Sequence, residues 1–293
     1  MVLLGTLDTK GEEYAFVREL LHDRRMDVLL IDAGVLGAPR VTPDITREAV
    51  AAAAGQDVAA LAAAGDRGAA VTAMAAGAAE IVGTLYDEGQ VDAIMGLGGS
   101  GGSTVIAAAM RALPIGVPKL LVSTVAAGDT RPYVDTADIM LLPSVVDISG
   151  INPISERILR NAVAAIVGMA VESVLYEPEP MDIPLVAATM FGVTTPCVTH
   201  LREVLDELGY ETLVFHATGT GGRAMERLLD DGYLTGVIDV TTTELADELV
   251  GGVLSAGPDR LEAAGALGLP QVVSLGALDM VNFGPRETVP ARF

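Results

Sequence analysis

The sequence predicts an α/β protein made of two Rossmann-like, doubly wound parallel-sheet subdomains. Short apolar runs alternate with helical patterns along the whole chain, which is typical of repeated strand and helix units. The runs are continuously apolar, as strands buried on both faces of a parallel sheet are. At 293 residues, of which 51% are hydrophobic, the chain is long enough for two such subdomains.

The first predicted subdomain alternates strands and helices up to about residue 176. Its strands are Met1–Leu4, Val28–Ile31, Val91–Met95, Lys119–Val122 and Asp138–Leu142. Its helices are Glu12–Arg24, Asp44–Glu48, Asp57–Ala64, Gly68–Asp87, one starting near Ser103, and one from Ser155 to about Tyr176. The first helix has apolar residues on one face, acids in its first turn and arginines in its last turn. Ser155 follows Pro153 and precedes Glu156, which predicts it as the N-cap of the last helix.

The prolines of Tyr176-Glu-Pro-Glu-Pro180 end this helix, because proline cannot continue one. We therefore predict subdomains at 1–178 and 182–293. The second contains strands 183–188, 212–216, 236–240 and 271–274 and helices 198–208, 223–229 and 244–249. Its spacing weakly echoes the first subdomain, through either a duplication or ordinary α/β composition. We expect the carboxyl ends of both sets of strands to face a shared cleft, where open parallel sheets bind ligands.

Charge and composition limit the partners. The chain has a net charge of −21 and no tight basic cluster, so we expect no nucleic-acid or anionic-membrane partner. One cysteine excludes an intramolecular disulfide and fits a cytoplasmic, reducing location. Three scattered histidines do not predict a zinc site. Charge, glycine or proline interrupts each apolar run before eighteen residues, so we expect neither a signal peptide nor a membrane span.

The strongest functional signal is the glycine cluster after the strand Val91–Met95. A strand, a glycine loop and a helix together are typical of an anion site, because backbone amides and the helix dipole face the ligand. The cluster satisfies G-x-G-x-x-G from Gly96 to Gly101, but the next strand ends in Ser123 and Thr124 instead of the acid a dinucleotide site expects. This favours a mononucleotide or another phosphorylated ligand over NAD; the alternative is a tight turn. The candidate residues of the loop are Gly98, Gly99, Ser100, Gly101, Gly102 and Ser103.

Other strand ends of the first subdomain supply further candidates. Lys10 comes near a helix start, where a cation is unfavourable unless an anion lies nearby; the alternative is a solvated lysine. Asp32 could take ribose hydroxyls or cap a turn. Asp129 and Asp147 could hold Mg²⁺ beside phosphate oxygens, although turn formation is the commoner role. The remaining candidates are Thr6, Asp8, Thr9, Gly34, Ser123, Thr124, Gly128 and Asn152.

A second glycine loop follows the strand Thr212–His216. It could bind an anion as the first does, and His216 could act as a general base, the alternative being a buried structural role. The candidates of this second site are His216, Thr218, Gly219, Thr220, Gly221, Gly222, Thr241, Thr242 and Glu244.

Six ordered sequence blocks resemble the Tm-one-like ATP-binding domain family. They are Gly5–Glu13, Asp32–Gly34, Gly96–Gly102, Ser123–Asp129, Val145–Asn152 and Phe215–Gly222. The resemblance runs over essentially the whole chain and implies two Rossmann-like subdomains that bind ATP, without an established reaction. Because members of that family continue beyond the point matching Phe293, the second subdomain is expected to be incomplete at its C-terminus.

Three classes of function follow from these observations. The first is an ATP-binding metabolic protein or enzyme, with phosphate on the first glycine loop and an unidentified small molecule as second substrate. The second is a non-catalytic module in which ATP stabilises a protein-interaction surface. The third, a dinucleotide oxidoreductase, is weakened by the missing acid. We also expect a homo-oligomer.

Overall fold

The chain divides into two compact units, Met1–Glu177 and Pro178–Phe293, here called unit 1 and unit 2. The computed structural model describes residues 1–176 and 183–293. The boundary predicted at 177–180 lies outside the described residues.

Unit 1 is a parallel sheet with helices on both faces. Its strands are β1 (Val2–Gly5), β2 (Leu29–Asp32), β3 (Ile94–Gly98), β4 (Lys119–Ser123) and β5 (Met140–Pro143), in the order β2-β1-β3-β4-β5. Its helices are α1 (Leu7–His22), α2 (Arg47–Ala53), α3 (Val58–Ala64), α4 (Arg67–Asp87), α5 (Ser100–Arg111), α6 (Arg131–Val134) and α7 (Pro153–Leu175). Every pair of neighbouring strands is parallel.

Alternating side chains of each strand enter two separate cores. In β1, Val2 and Leu4 pack in a core with α2, α4 and α5, whereas Leu3 packs in the opposite core with α1 and α7. Both faces of the strand are buried because successive residues of a strand point to opposite faces. This arrangement confirms the predicted doubly wound sheet and explains why its strands are continuously apolar.

Unit 2 has the same kind of layers on a smaller scale. Its strands are β6 (Leu185–Met190), β7 (Glu211–His216), β8 (Gly236–Thr241) and β9 (Gln271–Gly276), parallel and in the order β7-β6-β8-β9. Its helices are α8 (Thr195–Glu207), α9 (Thr220–Asp230), α10 (Thr243–Val250) and α11 (Ala263–Ala266). Apolar residues of α9 and α11 pack on one face of the sheet, and Val198 of α8 packs on the other.

Each predicted strand is present, displaced by at most three residues, but several helices begin earlier than predicted. The helix after the first glycine loop starts at Ser100 instead of Ser103. The predicted N-cap Ser155 is wrong. Asn152 caps α7, because its side chain accepts hydrogen bonds from the amides of Ile154 and Ser155. Ser155 completes a capping box by accepting from the Asn152 amide at 2.9 Å.

Two helices, α4 and α7, are long and apolar enough to cross a membrane by length and composition alone. Both carry residues that are buried against the sheet of unit 1, Met74 and Val82 from α4 and Leu159 and Ile166 from α7. The core helices of an α/β layer meet the same criteria of length and composition.

Candidate functional site

A cavity of about 610 Å³ opens at the carboxyl ends of β1, β2 and β3. The chain runs from β1 outward to β2 and then crosses to β3 on the other side, so this is the point at which the strand order reverses. Open parallel sheets bind ligands at such a switch point. The lining comes from three strand ends and from α3 and α4: Thr6, Asp8, Thr9, Lys10, Ala33–Leu36, Leu61, Ala62, Gly65–Arg67, Ala70, Val71, Met74, Gly99–Gly102 and Val105.

The first glycine loop brings the start of α5 to this cavity. Gly99 is the N-cap, and Ser100, Gly101 and Gly102 form the first turn of the helix. The amides of a first helical turn have no intrahelical acceptor, and here all three of these residues line the cavity. The helix therefore presents free donors and the positive end of its dipole to anything bound there.

The glycines of the first loop are not there for left-handed backbone conformations. None of Gly98, Gly99, Gly101 and Gly102 has a positive φ. Gly98 is needed because a Cβ there would lie 2.6 Å from the amide nitrogen of Ser103. At Gly101 a Cβ would have ordinary contacts but would project toward the cavity. These glycines provide space in which a neighbouring segment or a ligand can approach the backbone closely; they do not provide unusual backbone conformations.

Sequence reasoning missed Arg67, the first residue of α4, whose guanidinium lies beside this turn. Its Nη2 atom is 3.5 Å from the ideal Cβ position of Gly101, and Arg67 lines the cavity. A cation at the first position of a helix is unfavourable with the helix dipole, which is the argument that drew attention to Lys10. The signal was present in the sequence, but nothing local connects Arg67 with a loop more than thirty residues away.

Lys10 also lines the cavity, but a protein carbonyl already accepts from its ammonium. Lys10 Nζ donates to the carbonyl of Ile148 at 2.6 Å, in the loop between β5 and α7. The residue has φ −126°, a kink within α1. Lys10 therefore links the start of α1 to the loop after β5, and its remaining donor capacity is what it can offer a ligand.

Asp8 is a buried carboxylate whose two oxygens differ. Its side chain is 5% exposed. Oδ2 accepts hydrogen bonds from the amides of Val35 at 3.1 Å and Leu36 at 2.9 Å, and lies 4.0 Å from Arg47 Nη1. Oδ1 is buried and has no hydrogen-bond partner among the described residues. Asp8 thus fixes the loop after β2 with one oxygen and leaves the other without a donor.

Asp32 has both oxygens engaged by protein groups. Oδ1 accepts from the amides of Leu7 at 3.1 Å and Gly34 at 2.9 Å, so it caps the start of α1. Oδ2 accepts from Arg47 Nε at 2.7 Å. Gly34 lies against Asp8, since a Cβ there would be 2.7 Å from the Asp8 carboxylate.

Tyr14 holds α1 against the sheet. Its hydroxyl accepts from the Leu97 amide at 2.7 Å, and lies 2.6 Å from the Leu4 carbonyl and 2.8 Å from that of Leu97. Its proton can go to one of these carbonyls at a time. Burial raises the pKa of Tyr14 well above its usual value, so the hydroxyl stays neutral and joins the ends of β1 and β3 at the cavity.

The other candidates of unit 1 lie at several places. Thr6 and Thr9 line the cavity and share a 3.0 Å hydroxyl contact. Ser103 and Ser123 are buried and hydrogen-bonded to each other at 2.6 Å. Thr124, Gly128, Asp129, Asp147 and Asn152 are not part of the cavity lining.

The predicted magnesium site has little geometric support. Asp129 is exposed, and Arg131 donates to both of its carboxylate oxygens at 2.9 and 2.7 Å. These hydrogen bonds lower the pKa of Asp129 to about 2. Asp147 is also exposed and accepts from the amide of Ile148. No group of three His, Cys, Asp or Glu side chains suited to a metal occurs in the part of the chain that the structure describes.

The second glycine loop is filled by the protein itself. Glu244 Oε1 accepts from the amide of Gly219 at 2.7 Å and from that of Gly222 at 3.2 Å, at the start of α9. Gly219 has φ +78°, which favours glycine. The carboxylate of Glu244 thus occupies the anion position predicted for a ligand.

Behind Glu244 lies a buried ion-pair cluster around Arg260. Its guanidinium donates to Glu244 Oε2 at 2.8 Å, to Glu226 Oε1 at 3.1 Å and to Asp239 Oδ1. Burial by itself lowers the pKa of Arg260, but its hydrogen bonds to Asp239 and Glu244 raise it above the usual value. Burial raises the pKa of Glu226, the most exposed of the three acids.

The remaining candidates of unit 2 make structural contacts. Thr241 Oγ1 donates to the carbonyl of Thr189 at 3.1 Å, and Thr242 Oγ1 to that of Ser274 at 3.1 Å. Thr218 Oγ1 donates to the His216 carbonyl. His216 is exposed, with its ring against Phe191, so a buried structural role is wrong. Thr220 and Gly221 form the first turn of α9.

Comparison with known proteins places nearly the whole described chain in one family. Residues 1–174 match the N-terminal domain, and residues 183–293 the C-terminal domain, of the uncharacterised protein family UPF0261. The chain belongs to the UPF0261 family.

Bacterial and plant proteins are similar to this UPF0261 chain. A UPF0261 protein of Clostridium tetani is 52% identical over 294 residues, which cover 100% of this chain and 72% of that protein. Another, of Mesorhizobium japonicum, is 47% identical over 99% of this chain and 71% of its own length. The ToMV resistance protein Tm-1 of Solanum lycopersicum is 49% identical over 230 residues, 78% of this chain and 30% of that protein. The resemblance to Tm-one-like proteins is confirmed in sequence.

Proposed function

We propose that unit 1 binds ATP in the cavity at its switch point and serves as a cytoplasmic metabolic protein or enzyme that uses this nucleotide. One observation carries the proposal. The free amides of Ser100, Gly101 and Gly102 and the guanidinium of Arg67 converge on one cavity wall in a chain of net charge −21. Phosphate groups suit such a wall, because backbone donors, a helix dipole and a cation act on the same anion.

The rest of the cavity suits a nucleoside. Leu61, Val71 and Met74 of α3 and α4 form an apolar wall beside the phosphate position, and ligand sites combine such walls with a few placed polar groups. Mg²⁺ would be held by the phosphate oxygens of the nucleotide, as this ion usually is.

Comparison of the two glycine loops favours unit 1 as the nucleotide site. In unit 2 the corresponding helix amides already hold Glu244, whereas in unit 1 they line a cavity. A ligand phosphate at the second loop would have to displace a carboxylate that is also paired with Arg260.

The absence of a ribose-binding acid after β4 is what disfavours a dinucleotide. In a dinucleotide site the strand after the glycine loop is followed by an acid that binds a ribose, whereas β4 ends at Ser123. The cavity extends from β3 toward β1 and β2, where Asp8 lines it, so the comparison of ATP with NAD decides between the two ligands.

A second candidate function is a module in which ATP stabilises a surface for protein interaction without being consumed. The observation that favours it is the 49% identity to a plant protein named for resistance to ToMV. Measurement of steady-state ATP turnover in the presence of a metabolite panel separates the two, since the module requires binding without turnover.

The nucleotide proposal is tested by thermal unfolding with and without ligand. ATP at a hundred times its Kd is expected to add about 2.7 kcal/mol to the free energy of unfolding, because it binds the folded state alone. NAD at the same concentration should give less protection. If NAD protects the protein as well as ATP does, or better, the assignment of the cavity as an ATP site is wrong.

Arg67→Ala is expected to weaken ATP binding about 10- to 100-fold, since it removes a charge-assisted contact of about 1.5–3 kcal/mol. Adenosine, which lacks phosphates, should bind the variant and the original protein alike. Lys10→Ala is the matched control, because its ammonium donates to Ile148. Lys10→Ala should weaken the affinity for ATP less than Arg67→Ala does. Titration calorimetry with ATP and with adenosine compares the two variants. An equal loss of both ligands in Arg67→Ala would assign Arg67 to the cavity wall alone.

A further inference from the structure

One carboxylate oxygen of Asp8 is buried without a hydrogen-bond donor among the described residues. Its side chain is 5% exposed, and Oδ1 has no hydrogen-bond partner among the described residues. Buried polar atoms in native proteins nearly always have partners, and an exception calls for an explanation such as a ligand. Asp8 also lines the cavity.

The charge on Asp8 is balanced by groups that all face its other oxygen. The amides of Val35 and Leu36 donate to Oδ2, and Arg47 Nη1 lies 4.0 Å from it. The oxygens of a carboxylate accept hydrogen bonds and do not donate them. The group that Oδ1 lacks is therefore a donor.

The position of Asp8 identifies the part of a nucleotide that would supply this donor. Thr6, two residues before Asp8, has its hydroxyl 3.9 Å from the ideal Cβ position of Gly102. Asp8 therefore belongs to a segment that adjoins the first turn of α5, where we place the phosphates. The apolar wall for a base comes from α3 and α4. Between the phosphates and the base of a nucleotide lies the sugar, whose hydroxyls are donors.

We propose that Asp8 Oδ1 accepts a hydrogen bond from a ribose hydroxyl, so that the cavity selects ribonucleotides over deoxyribonucleotides. The inference rests on the proposed nucleotide site and adds its sugar specificity. Gly34 is part of the arrangement, because an ideal Cβ there would lie 2.7 Å from Asp8 Oδ1, so any other residue would displace the carboxylate. A metal ion is a poorer explanation, since no cluster of three ligating side chains occurs among the described residues.

The test compares ATP with 2′-deoxy-ATP, 3′-deoxy-ATP and ITP by titration calorimetry. At least one deoxy analogue is expected to bind about 10- to 100-fold more weakly than ATP, the range for a hydrogen bond to a charged group. In Asp8→Asn the same ratio should fall to within about twofold, because the carboxamide can keep its oxygen toward Val35 and Leu36 and places an NH₂ where Oδ1 was. Asp23→Asn is the matched control, because Asp23 is exposed at the end of α1 and lies outside the cavity lining; it should keep the ratio of the original protein.

The outcomes separate the inference from the function on which it rests. If ATP and both deoxy analogues bind the original protein equally, the sugar contact is overturned and nucleotide binding stands. If ITP binds more weakly than ATP while both deoxy analogues bind as ATP does, the donor to Asp8 is the amino group of the base, and the sugar contact is also overturned. Failure of ATP to bind overturns both proposals. The ratio in the original protein decides the matter even if Asp8→Asn does not fold.

Discussion

Gly101→Val is expected to lower the affinity for ATP more than about 100-fold, or about 2.7 kcal/mol, with the fold retained. An ideal Cβ at Gly101 lies 3.4 Å from Val71 Cγ2 and 3.5 Å from Arg67 Nη2, which are ordinary contacts. The residue does not have a positive φ, so valine causes little backbone strain. Its methyl groups would fill the space in which phosphate meets the helix amides.

Gly168→Val is the matched control for this variant. A Cβ at Gly168 has no atom within 4 Å, and Gly168 is exposed on α7, outside the cavity lining. Affinity for ATP should therefore stay close to that of the original protein. Circular dichroism and titration calorimetry on the same samples give fold and affinity. Normal binding by Gly101→Val would mean that the loop serves packing alone.

Arg260→Met is expected to destabilise unit 2 by about 3–5 kcal/mol, the cost of removing one partner from a buried ion pair. The side chains of Arg260, Asp239 and Glu244 are each at most 1% exposed. Methionine replaces much of the volume but leaves these carboxylates without a counter-charge. The loss should appear as a lower urea midpoint for the unfolding of unit 2. Hydrogen exchange of the amides of unit 2 measures this midpoint separately from that of unit 1.

Arg202→Met serves as the control in the same unit, because Arg202 is exposed on α8 and surface substitutions usually change stability by less than about 0.5 kcal/mol. Equal effects of the two substitutions would show that the Arg260 cluster contributes no more than a surface charge does.

The fold could be predicted because its signal is local. Continuous apolar runs of strand length and helical periodicity recur along the chain, and burial on both faces of each sheet is what such runs require. Helix starts were less accurate, since a first turn made of glycine and serine, as in α5, has no apolar periodicity. Asn152 was identified as a site residue, whereas its contacts are those of a helix cap.

The candidate site could be predicted only in part. The first glycine loop was identified because strand, glycines and helix are contiguous in sequence. Arg67 was missed, and the engagement of Lys10 with Ile148 could not be foreseen, because these contacts join distant segments of the chain. The same holds for Glu244, whose carboxylate reaches a loop 25 residues earlier in the chain. Local patterns identify candidate groups, but tertiary contacts decide which groups remain available to a ligand.

The apolar wall that α3 supplies has a consequence for how ligand preference could change in evolution or be redesigned. Helix α3 has no fully buried residue; Leu61 and Ala62 line the cavity, and Val58 and Leu61 pack against the core. The exposed Ala62 is therefore the position in this wall at which a substitution meets few packing constraints. If the cavity binds a nucleotide as we propose, exchange of Ala62 can change which base is accepted while the sheet and the first turn of α5 stay the same.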